Sequence, residues 1–293
     1  MRIVAAIRRA VYRFSLDECS TRAAAIAYYA VFSLPPMLLI MIYVAGLRYG
    51  HAAAAGQISS QLESFVGPEA GGQIQSIISN AGQDKNGGLV ATLIALAGLI
   101  YASTTVFTQL QETLNRAWSV EPDDSYLVSL AKKRFLSFLM VVAAGLVLMA
   151  SMIFGTLVST FGDALPFQVT GNLVYIIELL IPWVVISLLV AVIFKVLPDA
   201  RVRWGDVAVG AILAGALLVL AKHGLSVYLS RASFANTYGA AGSLAILLLW
   251  LYVSAAIVLV GAEFTRAWAQ EHGRDVEPTP GAHRIEPGWP RAA

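Results

Sequence analysis

The chain has 293 residues, of which 58% are hydrophobic and only 13% charged, and its mean hydropathy is +0.70. Soluble globular domains run at about 45–50% apolar and about 25% charged residues, so this composition excludes an ordinary water-solvated core and fits a lipid bilayer. The formal charge of +2, from 20 Lys and Arg against 18 Asp and Glu, excludes wholesale nucleic-acid binding, and the single cysteine, Cys19, excludes an intrachain disulfide and a cysteine-built metal site.

Residues 1–23 form a basic segment with Arg2, Arg8, Arg9, Arg13 and Arg22. No short apolar run with a small-residue cleavage site follows directly, so the first hydrophobic helix is expected to remain as a signal-anchor. Crossing roughly 30 Å of hydrocarbon takes about 20 mostly apolar residues. Six stretches meet that length: Ala24–Leu47, Leu89–Leu110, Phe135–Phe161, Leu173–Val196, Val207–Tyr228 and Ala240–Phe264. The predicted fold is therefore an all-α integral membrane protein, a bundle of six transmembrane helices occupying residues 24–268. Pro35-Pro36 in the first span and Pro182 in the fourth remove backbone donors and are expected to kink or break their helices.

Cytoplasmic connections retain Lys and Arg, and sixteen of the 20 fall before the first span, between the second and third, between the fourth and fifth, or after the sixth. Only Arg48, Lys85 and Arg231 fall on the other side, and Lys222 lies inside a span. That alternation supports an even number of spans with both termini cytoplasmic. In the first outside connection, Ile58, Leu62, Phe65 and Val66, then Ile74, Ile77 and Ile78, recur at helical spacing around Gly67-Pro68 and Gly71-Gly72. They predict amphipathic helices lying on the outer surface or capping the bundle. Residues 269–293 carry Pro278, Pro280, Pro287 and Pro290 with Gly273, Gly281 and Gly288 and almost no aliphatics, which predicts a disordered cytoplasmic tail. No internal repeat stands out.

Three segments carry a family likeness. Arg22-Ala23-Ala24-Ala25-Ile26-Ala27-Tyr28-Tyr29-Ala30-Val31-Phe32-Ser33-Leu34-Pro35-Pro36 opens the first span. Leu114-Asn115-Arg116-Ala117-Trp118 follows the second. The last helix reads Tyr238-Gly239-Ala240-Ala241-Gly242-Ser243-Leu244, then Leu249-Trp250-Leu251-Tyr252 and Gly261-Ala262-Glu263. In order and spacing these resemble the YihY/BrkB family of bacterial inner-membrane proteins, formerly labelled ribonuclease BN. The resemblance covers roughly Arg22 to Trp268 and implies six helices and cytoplasmic termini. It also marks Tyr28, Pro35, Pro36, Gly239, Gly242, Trp250, Tyr252 and Gly261 as packing positions. The family's activity is poorly defined, so the likeness leaves function open.

The old ribonuclease label finds little support in the residues. Metal-assisted phosphodiester hydrolysis needs clustered His and Asp ligands, whereas His51, His223, His272 and His283 scatter over a loop, a helix and the tail. No metal, cofactor or nucleic-acid partner is expected, and the absence of a phosphate-binding G-x-x-x-x-G-K-[ST] loop removes ATP as a direct energy source in this chain. Ionisable residues in spans are expensive and usually face a cavity or a partner. Glu178, Lys222, His223, Tyr238 and Glu263 are therefore the candidate substrate or proton pathway. For Glu178 and Lys222 an interfacial pair is an equal alternative, and Glu263 with Arg266, three residues on, reads most simply as a surface pair at a helix end. Arg22, Arg116, Lys132, Lys133 and Arg134 are a candidate cytoplasmic basic mouth, with topological charge and contact with anionic lipid headgroups as the plainer explanation. The leading expectation is a transporter or flippase-like permease for an anionic, amphiphilic substrate such as a lipid. The alternative is a non-transporting scaffold or envelope-integrity factor.

Overall fold

The computed structural model describes residues 2–33, 56, 105–123, 171–231 and 234–285. The helices among them are α1 (Arg2–Leu16), α2 (19–33), α3 (105–117), α4 (Gly171–Val196), α5 (Trp204–Arg231) and α6 (Phe234–Glu271). Short strands join them: β1 (Val120–Pro122), β2 (Ala200–Arg201), β3 (Glu277–Pro278) and β4 (Ala282–Arg284). Among the described residues, Trp204–Leu225 and Leu244–Glu271 are long and apolar enough to cross a membrane, and Pro182–Val196 is a shorter apolar helical stretch.

α4, α5 and α6 coincide with the last three expected spans. α4 continues through Pro182, so the lost donor does not end the helix there. The span 135–161 and the amphipathic helices of the first outside connection lie outside the described residues. Of the spans 24–47 and 89–110, only residues 24–33 and 105–110 are described, all of them helical.

Described residues fall into two compact units. The first holds 2–18, 111–123, 171–219 and 257–285. Its core is an approach of α5 to α6 made possible by small residues. A methyl group on Gly261 would sit 2.7 Å from the Ala214 Cβ and 3.1 Å from the Gly210 carbonyl oxygen, and one on Gly210 would lie 2.7 Å from the Gly261 carbonyl oxygen and run into Thr265. The helix axes must separate to admit either side chain. Gly205, by contrast, has open space where its Cβ would be. α1 adds a layer by the same device, its Ala6 and Ala10 buried against Phe264 and Ala267 with Val209, Leu213 and Trp268 around them.

α6 stops at a glycine cap. Gly273 has φ +68°, its N–H donates to Gln270 O at 3.0 Å, and Arg274 N–H donates to Ala269 O at 2.9 Å. This paired pattern needs a left-handed residue after the helix, the conformation glycine adopts without steric cost. The cap turns the chain back on itself, and residues 274–285 are not the disordered tail that their composition predicts. β3 pairs antiparallel with β2 (Ala200↔Pro278, Arg201↔Glu277), and β4 with β1 (Val120↔Arg284, Pro122↔Ala282). Thr279 N–H donates to Asp199 O at 3.0 Å and Ile285 N–H to Ser119 O at 2.9 Å. Backbone pairing with the two interhelical connections needs no aliphatic core, so few apolar residues suffice, Val276 being the buried one. Residues 286–293 lie outside the described set.

The second unit holds 19–33, 105–110, 220–231 and 234–256. Cys19, Ala23, Ile26 and Ala27 fall on one buried face of α2. Ile246 and Leu247 of α6 form a core with Val31, Leu225 and Leu251. Tyr28 stacks edge-on to Phe32 at 4.9 Å and to Tyr29 at 5.5 Å.

The helix approach predicts an asymmetry between glycines. Gly261→Val overpacks a contact to backbone and should cost about 1–3 kcal/mol, read as a lower melting temperature of the detergent-solubilised protein. Gly224→Ala, where a Cβ meets nothing, should leave that temperature unchanged or raise it.

Candidate functional site

The last turns of α6 carry the most deeply buried charges described. Glu263 and Thr265 are fully buried and Arg266 is 3% exposed. The surface pair expected for Glu263 and Arg266 is thus corrected: α1 and α3 cover this end of the helix. Burial demands partners, because an unpaired ion in a low-dielectric setting costs several kcal/mol.

Arg266 finds them at the end of α3. Its Nη1 donates to the Ala117 carbonyl at 2.8 Å and to the Ser119 hydroxyl at 2.7 Å. The last carbonyls of a helix lack intrahelical donors, and a cation there also meets the negative end of the helix dipole. Ser119, at φ 50°, turns the chain left-handed just beyond the helix and brings its hydroxyl to Arg266.

Glu263 faces the turn after α1. Asp17 lies within hydrogen-bonding reach of it, and the charges of Arg13 and Arg266 act on it. Arg13 Nη1 is 3.9 Å and Arg116 Nε 3.8 Å from the Asp17 carboxylate. Two carboxyl groups and three guanidinium groups from α1, its following turn, α3 and α6 therefore meet in one node. Arg13 and Asp17 were missed in the sequence because they lie outside the spans, where arginines read as topological charge.

Around the node, side chains tie one connection to another. Asn115 and Asp199 form a reciprocal pair: the Asn115 amide donates to Asp199 Oδ2 at 3.0 Å, and Asp199 N–H donates to Asn115 Oδ1 at 2.8 Å. Gln111 donates to the same carboxylate at 3.1 Å. Trp118, fully buried, stands edge-on to Phe194 at 5.7 Å. Each residue of Leu114-Asn115-Arg116-Ala117-Trp118 thus has an assignment: Leu114 is core, Asn115 binds Asp199, Arg116 reaches Asp17, Ala117 receives Arg266, and Trp118 packs on Phe194.

An open cavity of about 570 Å³ is lined by Lys195, Arg201, Val202, Arg203, Trp204, Arg274, Asp275 and Glu277. Lys195 Nζ donates to Val202 O at 2.5 Å and lies 5.6 Å from the Trp204 ring centre. Arg274 pairs with Asp206 at 2.5 Å, and Asp206 sits in the first turn of α5, where the helix dipole favours a carboxylate. Arg201 and Arg203 are exposed. Four cations and two carboxylates line the cavity, an excess of positive charge.

The other residues singled out from sequence are dispersed. Arg116 belongs to the first unit and Arg22, half-buried, to the second. Lys132, Lys133 and Arg134 lie outside the described residues, as do Pro35 and Pro36. Lys222 is half-buried and His223 exposed, both on α5 in the second unit. Glu178 lies on α4 in the first unit and Tyr238 on α6 in the second. The side chains of Glu178, Tyr238 and their neighbours are outside the described set, as is any contact of Gly239 and Gly242. Trp250 and Tyr252 are half-buried and Tyr28 is exposed, whereas Gly261 is buried in the α5–α6 approach. His283 pairs with Asp123 at 2.8 Å on the strand surface. Among the described residues no three of His, Cys, Asp and Glu converge to hold a metal ion.

Among the described residues, two helices long and apolar enough to cross a membrane agree with a helical membrane protein. The chain belongs to the family described as Virulence factor BrkB, whose model matches residues 10–286. It is 28% identical over 270 residues to a UPF0761 membrane protein of Alcanivorax borkumensis, covering 91% of this chain and 61% of that one. It is 25% identical to a UPF0761 membrane protein of Vibrio vulnificus, covering 94% of this chain and 86% of the relative. It is also 25% identical to a ribonuclease-like protein, YfkH, of Bacillus subtilis, covering 86% and 90%. The chain spans 55–61% of the length of the first three relatives it matches. No solved structure matches.

Arg266→Ala should remove the α3 cap and strand Glu263 beside Asp17, a loss of about 3–5 kcal/mol by analogy with other broken buried pairs. Asn115→Ala should lose about 1–3 kcal/mol by leaving Asp199 short of donors. Unfolding of the detergent-solubilised protein, followed by tryptophan fluorescence, ranks the two.

Proposed function

We propose that the protein is a multi-pass permease of the bacterial inner membrane, with six transmembrane helices in residues 24–268 and both termini in the cytoplasm, and that it moves an anionic amphiphile such as a lipid. The observation that carries this reading is the buried node on α6. Glu263 and Arg266 lie inside a helix long and apolar enough to span the bilayer, and ionisable groups in such helices commonly mark ion or substrate pathways. Glu263, with Asp17, Arg13 and Arg266 acting on it, is one carboxyl group proposed for proton coupling. Glu178 is the other carboxyl group proposed for coupling. The cavity between Lys195 and Arg274 carries an excess of positive charge suited to the anionic end of the substrate, and Arg22, Arg116, Lys132, Lys133 and Arg134 are proposed as basic residues of the cytoplasmic side. Lys222, His223 and Tyr238 are assigned to the opposite, outer half of the path.

A second reading, a non-transporting scaffold or envelope-integrity factor, draws on a different feature of the same node. The bonds from Arg266 to Ala117 and Ser119 and the Asn115–Asp199 pair are those of a fixed clasp. The ribonuclease-like name of the Bacillus subtilis relative suggests RNA cleavage, and the scattered histidines speak against it.

Proteoliposomes containing labelled anionic lipid separate these readings. Transport predicts movement between leaflets above that of empty vesicles and a several-fold fall in Glu263→Gln, which keeps the shape and removes the ionisable group. Rates equal to empty vesicles for both proteins, together with a stoichiometric protein partner on cross-linking in cells, would establish the scaffold instead. Purified protein is expected to leave RNA intact with magnesium or manganese.

A further inference from the structure

Among the described residues, α1 is partnered on one side only. Ala6 and Ala10 meet Phe264 and Ala267 of α6, whereas Ile3, Val4, Ile7 and Val11 are 48–70% exposed. At 100° per residue these four project within about a third of a turn of one another, so they form a continuous apolar stripe beside the buried alanine face. α1 also carries Arg2, Arg8, Arg9 and Arg13 and no acidic residue. Arg8 and Arg9 are exposed, and Arg9 reaches Glu271 at 3.0 Å.

We propose that α1 is an interfacial helix that lies on the bilayer, with Ile3, Val4, Ile7 and Val11 among the upper acyl chains and Arg8 on anionic phospholipid headgroups. An apolar stripe flanked by arginines is the pattern by which helices bind in the plane of a membrane surface, and a cluster of basic residues adds attraction to anionic lipid. The height of α1 agrees. Val209 and Leu213 of α5 flank the cluster that holds Ala6 and Ala10, and they lie about 7.5 and 13.5 Å along the axis from Trp204 at about 1.5 Å per residue. Trp204, 57% exposed beside Lys195, is the aromatic and basic pairing found at the headgroup level. A helix about two turns inside that level has its outer stripe among the upper acyl chains. A second copy of the chain is the competing occupant. The excess of four arginines and no carboxylate favours an anionic lipid surface over a like-charged α1.

The full-length protein tests this in nanodiscs. Val11→Cys and, as a water-exposed reference, Glu121→Cys would each carry an environment-sensitive fluorophore. The discs would be of phosphatidylcholine alone or mixed with phosphatidylglycerol. At Val11, blue-shifted emission, quenching by spin-labelled lipid near the headgroups and several-fold weaker quenching by iodide than at Glu121 are expected. The shift should grow with phosphatidylglycerol, and Arg8→Glu should abolish that growth. Iodide access at Val11 equal to that at Glu121 in both lipids would overturn the proposal. A shift that appears only with two copies per disc would overturn it in favour of self-association.

Discussion

A carboxyl group and a guanidinium one turn apart on an apolar helix cannot be left without partners, and that requirement organises the first unit. Hydrocarbon offers no water to hydrogen-bond them, so the protein supplies the missing groups. Arg266 is met by the end of α3, and Glu263 by the turn after α1. Segments far apart in sequence are drawn to one point because α6 brings charge there. Arg266 meets two needs at once, since the α3 carbonyl it binds would itself lack a donor. Removing one member therefore disturbs two helix ends.

The same economy runs through the connections. Asp199, in the short link between α4 and α5, accepts from Gln111 and Asn115 through its side chain and from Thr279 through its carbonyl. Ser119 gives its hydroxyl to Arg266 and its carbonyl to Ile285. The returning strands hold these links by backbone bonds, and the turn that starts their return is set by Gly273. Close helix packing at Gly210, Ala214 and Gly261 brings α5 beside α6, and the Asp206–Arg274 pair ties the start of α5 to the chain just beyond the glycine cap.

The helices were legible because long, nearly uncharged apolar runs favour a helix, and α4, α5 and α6 contain the last three such runs, α6 extending six residues before and seven beyond its own. The Gly-Ala-Glu segment was legible as part of a family pattern. Burial of Glu263 and Arg266 was not, because their neighbours Asp17 and Ala117 come from positions some 250 and 150 residues away and local spacing carries no trace of them. The order of residues 274–285 was hidden for a related reason. Proline and glycine content reports the lack of an apolar core, and these strands are held by backbone bonds to partners elsewhere in the chain. Gly273 was the one local signal, a helix stop followed by a turn, and it was read only as part of a tail.

α1 joins the two halves of the functional argument. Ala6, Ala10, Arg13 and Asp17 recur at intervals of four, three and four, which places them on one face, and that face meets α6 and its buried carboxyl group. The adjoining face carries the apolar stripe. A rigid helix couples them: any tilt that lifts Ile7 and Val11 from the lipid also moves Arg13 and Asp17 with respect to Glu263. On the proposed placement, the charge set around the node is therefore held by the membrane surface as well as by the bundle. The link runs through positions fixed by packing, so it needs no flexible element, only a helix shared between lipid and node.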